Sequence, residues 1–243
     1  MCRMMGVVGR VERDHVSGFR KLAHRGKIKQ SKDKDDYRHH VDGWGIGFFR
    51  DGGARIYKEG TDAYYSYGYE LVTREILTYP PEAAVFHIRR ASDKNTVSDA
   101  KAHPFGGSQF NKEWLFCHNG GLDNYDTMKQ RGMIDSEFLF DSLLDNLKTT
   151  DFDGVFNATQ LMRKEVLSRF NGYSAINFML TDGKVLYAYR DASRDADYFE
   201  LFVAKNGEST LVCSEEIDKK FQWSPIENGE LVRMTKDGFE RKH

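Results

Sequence analysis

Short apolar runs separated by turn signals recur along this chain, and they constrain its fold more than any other sequence feature. Asp182-Gly183 and Asn206-Gly207 are dipeptides that supply the positive φ angles of tight hairpins. Asp51-Gly52-Gly53 likewise predicts a hairpin between strands at 44–50 and 54–58. The other strand-like runs are MMGVV, AAVFHI, WLFCHN, YSAINFMLTDGKVLYAYR, YFELFVAK, STLVCS and GELVRMT.

Apolar residues at helical spacing predict three helices, over 63–78, 136–147 and 153–170. Ser136 and Asp153 are candidate N-caps, because their side chains can accept from unpaired backbone N–H groups. Many short strands with few helices are typical of an α+β protein. We therefore expect an α+β fold.

Composition indicates an ordinary globular chain. The 36 basic and 37 acidic residues nearly cancel, so a role on nucleic acid or an anionic membrane is not indicated. No run approaches the roughly 18 apolar residues of a membrane helix, and we expect a cytoplasmic protein that does not bind membranes. Four prolines and the lack of a linker or repeat predict one domain, with a solvated polar loop at 27–40 that includes His39-His40.

The cysteines and histidines do not indicate a disulfide framework or a metal site. Three cysteines are an odd number without CxxC spacing, so we expect reduced thiols. We expect no metal, because four histidines have no ligand spacing. These residues are Cys2, Cys117 and Cys213, and His24, His39, His40 and His87.

Cys2 directly follows the initiator methionine. Removal of Met1 would leave a thiol and a free α-amine on one residue, so nucleophile and base would come as a unit. An α-amine with a pKa of about 7.7–8.0 is partly free near neutral pH and can take a thiol proton. The alternative is that Cys2 is a small apolar residue near a frayed terminus. We expect Met1 to be removed, because Cys2 is small.

The run FHIRRAS predicts a strand that ends in a polar loop. Strand alternation puts His87 and Arg89 on one face. An arginine at a strand end can clamp a carboxylate through two parallel hydrogen bonds, which suits the α-carboxylate of an amino acid. A structural ion pair is the alternative interpretation.

The run CHNGG follows the strand-like WLFC and predicts a turn. The Asn119 amide and the Gly120 N–H could also form a donor pair for the oxyanion of an acyl-transfer intermediate. Cys117 and His118 are adjacent on a strand and point to opposite faces, so they do not form a dyad. We expect Cys117 in the core.

The run DSE predicts a helix start near Glu137, with Asp135 or Ser136 as its cap. A carboxylate at this position could also receive the ammonium group of an amino-acid substrate, as the complement of an arginine on its carboxylate. Helix capping and substrate binding both remain open for Asp135.

Six motifs occur together in one order: MCRMMGVVG, HVDGWGIGFF, FHIRRAS, AHPF, CHNGGL and DSE. Their order and spacing resemble the glutaminase domain of class II glutamine amidotransferases, and especially its free-standing group. The resemblance implies a single glutamine amidotransferase type-2 domain over 1–243. It also implies the four-layer αββα fold of N-terminal nucleophile hydrolases, two stacked antiparallel sheets between helix layers, and no metal or organic cofactor.

The resemblance also implies residue roles. Cys2 matches the nucleophile, and Asn119 and Gly120 match the oxyanion hole. Arg89 matches the residue that binds the glutamine carboxylate, and Asp135 matches the one that receives its ammonium group. His103, Trp44 and Gly45 match positions that support the site.

The implied reaction is release of ammonia from the glutamine side chain through a γ-glutamyl thioester. The implied partner is a separate ammonia-accepting synthase. One alternative is a stand-alone hydrolase of a larger γ-glutamyl compound. The other is a catalytically inactive binding or regulatory module, and the intact Cys2, Arg89, Asn119 and Asp135 argue against it.

Overall fold

The computed structural model describes residues 2–28, 39–125 and 132–243, so most of the predicted polar loop at 27–40 lies outside the described residues. Within these ranges the chain forms thirteen strands and four α-helices. The strands are β1 (Arg3–Gly9), β2 (Trp44–Arg50), β3 (Gly53–Glu59), β4 (Ala83–Ile88), β5 (Phe105–Gln109), β6 (Lys112–Leu122), β7 (Tyr173–Thr181), β8 (Leu186–Tyr189), β9 (Phe202–Asn206), β10 (Ser209–Cys213), β11 (Ser224–Pro225), β12 (Leu231–Thr235) and β13 (Gly238–Lys242). The helices are α1 (Arg13–Arg25), α2 (Tyr67–Thr78), α3 (Asp135–Asn146) and α4 (Phe152–Arg169), and a short 3₁₀ helix spans Lys94–Thr96.

The strands pair into two antiparallel sheets. Sheet A has the order β11-β9-β10-β1-β4-β2-β3, and sheet B has the order β13-β12-β8-β7-β6-β5. The hairpins β2–β3, β7–β8 and β9–β10 close at the predicted Gly-containing turns. Their turn glycines have the positive φ that these hairpins need, for example 77° at Gly52. The predicted hairpins are confirmed.

Three buried apolar layers hold the sheets and helices together. Strand alternation sends Met5 of β1 toward α1 and α2, and sends Met4 to the space between the two sheets. On sheet B, Cys117 joins the layer between the sheets, whereas Phe116 packs with α3 and α4. Three apolar interfaces separate four layers, so the predicted α+β, αββα arrangement is confirmed. Each buried Phe or Met contributes roughly 1.5–3 kcal/mol.

The helix starts differ from those predicted. α3 begins after Ile134, whose backbone N–H donates to the Glu137 side chain at 2.8 Å, so Ser136 lies inside the first turn. α4 begins after Asp151, whose carboxylate accepts from a first-turn N–H, so Asp153 also lies inside its helix. The predicted caps were one or two residues late, because several polar residues precede each apolar run.

α1 was not predicted from the sequence. Its buried face includes Val16, Phe19 and Ala23, and the Phe19 ring lies 6.1 Å from Phe86 of β4 in an edge-on arrangement. It covers sheet A beside α2, where β1 and β4 form the centre of the sheet. Within 2–28, 39–125 and 132–243, no helix is both long and apolar enough to cross a membrane.

Candidate active site

Cys2 immediately precedes β1 and lies beside a strand of the opposite sheet. Its backbone nitrogen donates to Asn119 Oδ1 at 2.9 Å, and its Sγ lies 3.9 Å from the Arg90 carbonyl oxygen. Met4, two residues along, points between the sheets, so alternation directs Cys2 toward the same space. The residue is partly buried. Cys2 is therefore held at the N-terminal end of β1, beside Asn119 of the opposite sheet.

Asn119 lies within β6 and not in a turn, which corrects the prediction for CHNGG. The strand continues to Leu122, and Asn119 pairs with Asn177 of β7. The Asn119 side chain is buried, and its Nδ2 finds no acceptor among the residues described. An unpaired buried donor costs roughly 1–3 kcal/mol, so such groups are rare unless a ligand uses them. One amide thus contacts Cys2 through oxygen and presents an unused N–H.

Gly120 follows Asn119 in β6, at a position where a side chain would collide with neighbouring backbone. A Cβ at Gly120, where φ is 157°, would lie 1.7 Å from the Ala175 carbonyl oxygen of β7. The register between β6 and β7 shifts between Gly120 and Leu122. Such a bulge turns the local backbone out of its regular ladder and is frequent beside functional sites. The close approach of β6 to β7 requires glycine here.

Asp135, the first residue of α3, lies against this bulge. Its Oδ2 accepts from the Leu122 backbone N–H at 3.2 Å, and its Oδ1 accepts from the Ser136 N–H at 2.9 Å. A Cβ at Gly121 would lie 3.5 Å from Asp135 Oδ2. A carboxylate is favoured at a helix N-terminus, because unpaired N–H groups give that end a partial positive charge. The fold therefore brings Asp135 close to the Asn119-Gly120 pair.

Arg89 follows β4 and is buried. Its guanidinium donates to the carbonyl oxygen and Oγ1 of Thr96, both at 2.8 Å. Its backbone N–H donates to the Gly43 carbonyl at 2.7 Å. A guanidinium has five N–H donors, so these two side-chain bonds leave others for a ligand. β1 and β4 pair Arg3 with Ile88, which puts Arg89 across from Cys2.

Asp42 supports the segment after β4, a role that its sequence context did not predict. Its backbone N–H donates to the Arg89 carbonyl at 3.0 Å, and its Oδ2 accepts from the Ala91 N–H at 2.9 Å. The same carboxylate pairs with Lys94. A carboxylate before a glycine in HVDGWG was the available signal, but its partners lie far along the chain. Asp42 fixes the backbone on which Arg89 stands.

Trp44 and Gly45 of β2 lie at the same end of sheet A as Cys2 but make different contacts. Trp44 is buried, donates to the Glu59 carboxylate at 3.2 Å and meets the Tyr69 ring edge-on at 5.3 Å. It therefore faces the α2 layer and braces the sheet from behind. A Cβ at Gly45 would lie 1.8 Å from the His103 carbonyl oxygen, so glycine permits that close approach.

Three histidines lie close together near Cys2: the His87 and His103 rings pack between the sheets, whereas the His118 ring points to the other face of β6 and contacts Ser136 of α3. The rings of His87 and His103 stack at 4.2 Å, and His87 Nε2 lies 3.2 Å from the His118 carbonyl oxygen. Burial lowers the pKa of His87 to about 3 and that of His103 well below its usual value. Burial also lowers the pKa of His118, against the opposing effect of Asp135. The stack is neutral at pH 7, and neither His103 ring nitrogen has a partner among the described residues.

Two further predictions concern a histidine and the cysteines. His40, expected to be solvated, is buried, and burial followed by the nearby Arg3 charge lowers its pKa to about 2. Cys117 is buried in the core, as predicted, and burial raises its thiol pKa. Burial also raises the pKa of Cys213 to about 12. Cys2 is thus the accessible thiol of the described residues.

No group of three or more His, Cys, Asp or Glu side chains in the described parts of the chain is arranged to hold a metal ion. The residues predicted for the site supply a thiol, two amide-type donors, a carboxylate and a guanidinium. Nucleophilic acyl transfer can proceed with such groups alone.

The architecture is that of the N-terminal nucleophile hydrolases. Glutamine phosphoribosylpyrophosphate amidotransferase from B. subtilis superposes with a TM-score of 0.64 at 20% identity, over 100% of this chain and 49% of that one. A glutamine aminotransferase class-II domain protein from Silicibacter pomeroyi gives a TM-score of 0.61 at 17% identity, over 99% of this chain and 98% of that one.

Sequence comparison identifies the family. Residues 1–198 match the class II glutamine amidotransferases, and this chain belongs to that family. An uncharacterised protein of Methanocaldococcus jannaschii is 31% identical over 160 residues, which cover 63% of this chain and 43% of that protein. The chain thus spans less than half the length of that relative and of the B. subtilis enzyme.

Proposed function

We propose that this protein is a cysteine amidohydrolase that releases ammonia from the side-chain amide of glutamine, with Cys2 as its N-terminal nucleophile. The observation that carries the proposal is the Asn119 amide. Its oxygen holds the Cys2 nitrogen at 2.9 Å, and its buried Nδ2 has no acceptor in the described chain. Asn119 thus accepts from the proposed base, the Cys2 nitrogen, and it also presents an N–H donor beside the proposed nucleophile, the Cys2 sulfur.

The first step needs Met1 removed, which turns the Cys2 backbone nitrogen into an α-amine. That amine takes the thiol proton, directly or through one water, and the sulfur forms a bond to the amide carbon. Asn119 Oδ1 accepts from the same nitrogen and orients its lone pair. Nucleophile and base thus act within one residue, and no histidine is required. His87 and His103 are weak bases, because burial lowers the pKa of His87 to about 3 and that of His103 well below its usual value.

The second step collapses a tetrahedral intermediate. Asn119 Nδ2 and the Gly120 N–H stabilise its oxyanion, for which one well-placed donor contributes roughly 2.7–4 kcal/mol. The carbon–nitrogen bond breaks, and ammonia leaves with the proton that the α-amine returns. Water then attacks the γ-glutamyl thioester, which yields glutamate and restores the thiol.

Arg89 and Asp135 are proposed to hold the two charged ends of the amino acid. The remaining N–H groups of Arg89 suit an α-carboxylate, and Asp135 suits an ammonium group. Both side chains already have protein partners, Thr96 for the arginine and the Leu122 N–H for the aspartate. We propose that His103, Trp44 and Gly45 support this arrangement by packing.

The destination of the ammonia is proposed from the family. Members use glutamine as an ammonia source, so a separately encoded synthase is the proposed partner, and the whole of 1–243 is proposed to act as one glutaminase domain. Turnover without a partner on a larger γ-glutamyl compound, with poor turnover of free glutamine, would instead identify a stand-alone γ-glutamyl hydrolase. Partner-free assays with both substrate types distinguish the two.

The nucleophile is tested by covalent labelling. Intact-mass measurement first confirms removal of Met1, and a glutamine-like diazo-ketone then reacts with the mature protein. We expect one adduct on Cys2, and no adduct or ammonia release from Cys2→Ala. An adduct on another residue, or ammonia release by Cys2→Ala, would refute the assignment.

The oxyanion donor is tested by Asn119→Asp, which keeps an oxygen for the Cys2 nitrogen but removes Nδ2. We expect kcat for glutamine hydrolysis to fall roughly 10²–10³-fold with a smaller change in KM. Asn228→Asp is the matched control, because the exposed Asn228 oxygen accepts from the Ala192 N–H away from Cys2. Equal effects of the two variants would argue against a catalytic role for Asn119.

A further inference from the structure

Arg3 is a buried charge beside the proposed nucleophile that the proposed mechanism does not use. Its side chain has no solvent exposure. Because β1 alternates, Arg3 shares the face of Met5 and points away from the space that Cys2 faces. Its Nη1 nevertheless turns back and donates to the Cys2 carbonyl oxygen at 2.9 Å. Burying a guanidinium costs free energy of desolvation, so it requires compensating hydrogen bonds and an opposite charge.

The other contacts of Arg3 fix the guanidinium firmly. Its Nε donates to Glu215 Oε1, and its Nη2 donates to the Lys27 carbonyl, both at 2.5 Å. Its Cζ lies 4.3 Å from the centroid of the Tyr198 ring. Glu215 also accepts from the Lys27 backbone N–H at 2.7 Å. The planar guanidinium is therefore fixed at its edge by hydrogen bonds and on its face by the Tyr198 ring.

We propose that Arg3 is a positioning residue for the N-terminal nucleophile, which fixes the Cys2 carbonyl and places a permanent positive charge beside the Cys2 nitrogen. Asn119 holds the nitrogen of Cys2 and Arg3 holds its carbonyl, so both backbone ends of one residue are fixed. The side chain then has only χ1 left to adjust. The nearby positive charge favours the neutral amine and the thiolate, the two forms the reaction needs. This role rests on the function proposed above.

Other ionisable groups surround the same place and belong in any account of its pH dependence. Glu215 offsets part of the Arg3 charge, and Tyr198 stays protonated because burial raises its pKa. His40 stays neutral, because burial lowers its pKa to about 2. Arg90, whose carbonyl faces Cys2 Sγ, is a second cation in this region. Arg3 is the cation that bonds directly to Cys2.

The test measures alkylation of Cys2 by iodoacetamide in the native, Met1-processed protein as a function of pH. The thiolate is the reactive form, and Cys117 and Cys213 are buried, so labelling reports Cys2. Three variants are compared with the wild type: Arg3→Lys, Arg3→Gln and Glu215→Gln. We expect Arg3→Gln to raise the pH midpoint of labelling by about half a unit or more. Glu215→Gln, which leaves Arg3 unopposed, should lower it.

Arg3→Lys keeps the charge but loses the planar fork that bonds three partners at once. We expect its labelling midpoint to stay near that of the wild type while kcat for glutamine falls more than KM changes. Shifts of the same sign in Arg3→Gln and Glu215→Gln, or no shift in either, would overturn the proposal. If Arg3→Gln does not fold, Glu215→Gln still decides, because an unchanged or raised midpoint contradicts a charge effect.

Labelling needs no glutamine, so the two proposals can fail separately. A processed wild-type protein without glutamine turnover, but with opposite midpoint shifts in the two variants, would retain the role of Arg3 and refute the glutaminase function. Glutamine turnover with unmoved midpoints would retain the function and refute the role of Arg3.

Discussion

At the scale of single residues, the Asn119 amide links the two sheets. Its oxygen contacts Cys2 at the start of sheet A, while its backbone pairs with β7 in sheet B. Hydrogen bonding fixes the orientation of the Asn119 amide, because only its oxygen can accept from the Cys2 N–H. The orientation of this one side chain determines which atom faces a bound carbonyl.

Gly120→Ala tests the close approach of β6 to β7. The added Cβ would meet the Ala175 carbonyl oxygen at 1.7 Å, and that backbone cannot retreat without breaking strand pairing. We expect a loss of about 1–3 kcal/mol or more in the free energy of unfolding, measured by urea denaturation.

Gly121→Ala is the matched control for this strand. Its Cβ would lie 3.5 Å from Asp135 Oδ2, an ordinary contact distance. We expect it to lose clearly less stability than Gly120→Ala. Similar losses for the two variants would show that general strand propensity, and not the carbonyl contact, sets the requirement for glycine.

At the scale of elements, α2 depends on a local cap that also links it to β3. Ser66 Oγ accepts from the Tyr69 N–H at 3.0 Å and donates to the Glu59 carboxylate at 2.8 Å. The same carboxylate accepts from Trp44 Nε1. The start of α2 is thereby tied to the strands that carry the DGWG motif.

Ser66→Ala should lower the free energy of unfolding by about 1 kcal/mol, because it leaves a helix-start N–H without its acceptor. Thermal or urea unfolding measures the change. Ser17→Ala, at an exposed position within α1, is the control and should change stability by less than about 0.5 kcal/mol. A loss at Ser17 as large as that at Ser66 would contradict the capping explanation.

The elements that local chemistry controls could be predicted, and those that depend on distant partners could not. The β2–β3 hairpin follows from Asp51-Gly52, whose φ angles are both positive. The extent of β6 through Asn119-Gly120 was missed, because Asn-Gly usually signals a turn and only pairing with β7 keeps it extended. α1 was missed although Val16, Phe19 and Ala23 recur at helical spacing in its sequence.

The candidate site shows the same contrast between features set by local sequence and features set by distant partners. Its motif residues could be named from the sequence, but their roles stay predictions. Arg3 and Asp42 could not be found, because the partners of Arg3 include Glu215, which follows β10, and those of Asp42 follow β4. Nothing local in the sequence reveals that β10 lies beside β1. The burial of His40 also depends on tertiary packing.

At the scale of the whole molecule, buried histidines link stability to pH. The folded state keeps His40 and His87 neutral, with pKa values of about 2 and about 3, whereas unfolded histidines titrate near 6.5. Below pH 6.5 the unfolded chain therefore binds more protons than the folded protein. Stability falls as pH drops from 6.5 toward 3 and is fully present above 6.5.

We expect the free energy of unfolding to decrease between pH 6.5 and 5 by about 1.1 kcal/mol per pH unit for each such histidine. Urea denaturation at several pH values measures this slope. His40→Leu should reduce the slope by about one proton. An unchanged slope in His40→Leu would contradict a neutral, buried His40.

The pairing of Asn119-Gly120 with β7 also bears on chemical ageing. Asparagine followed by glycine deamidates readily, because the glycine nitrogen can attack the side-chain carbonyl and close a succinimide ring. That attack needs a bent backbone, whereas β6 is held extended here. Hydrolysis of the ring would give aspartate or isoaspartate and eliminate the Nδ2 donor. Deamidation of Asn119 thus requires local opening of the β6–β7 pairing. Strand pairing therefore slows the chemical loss of the Nδ2 donor.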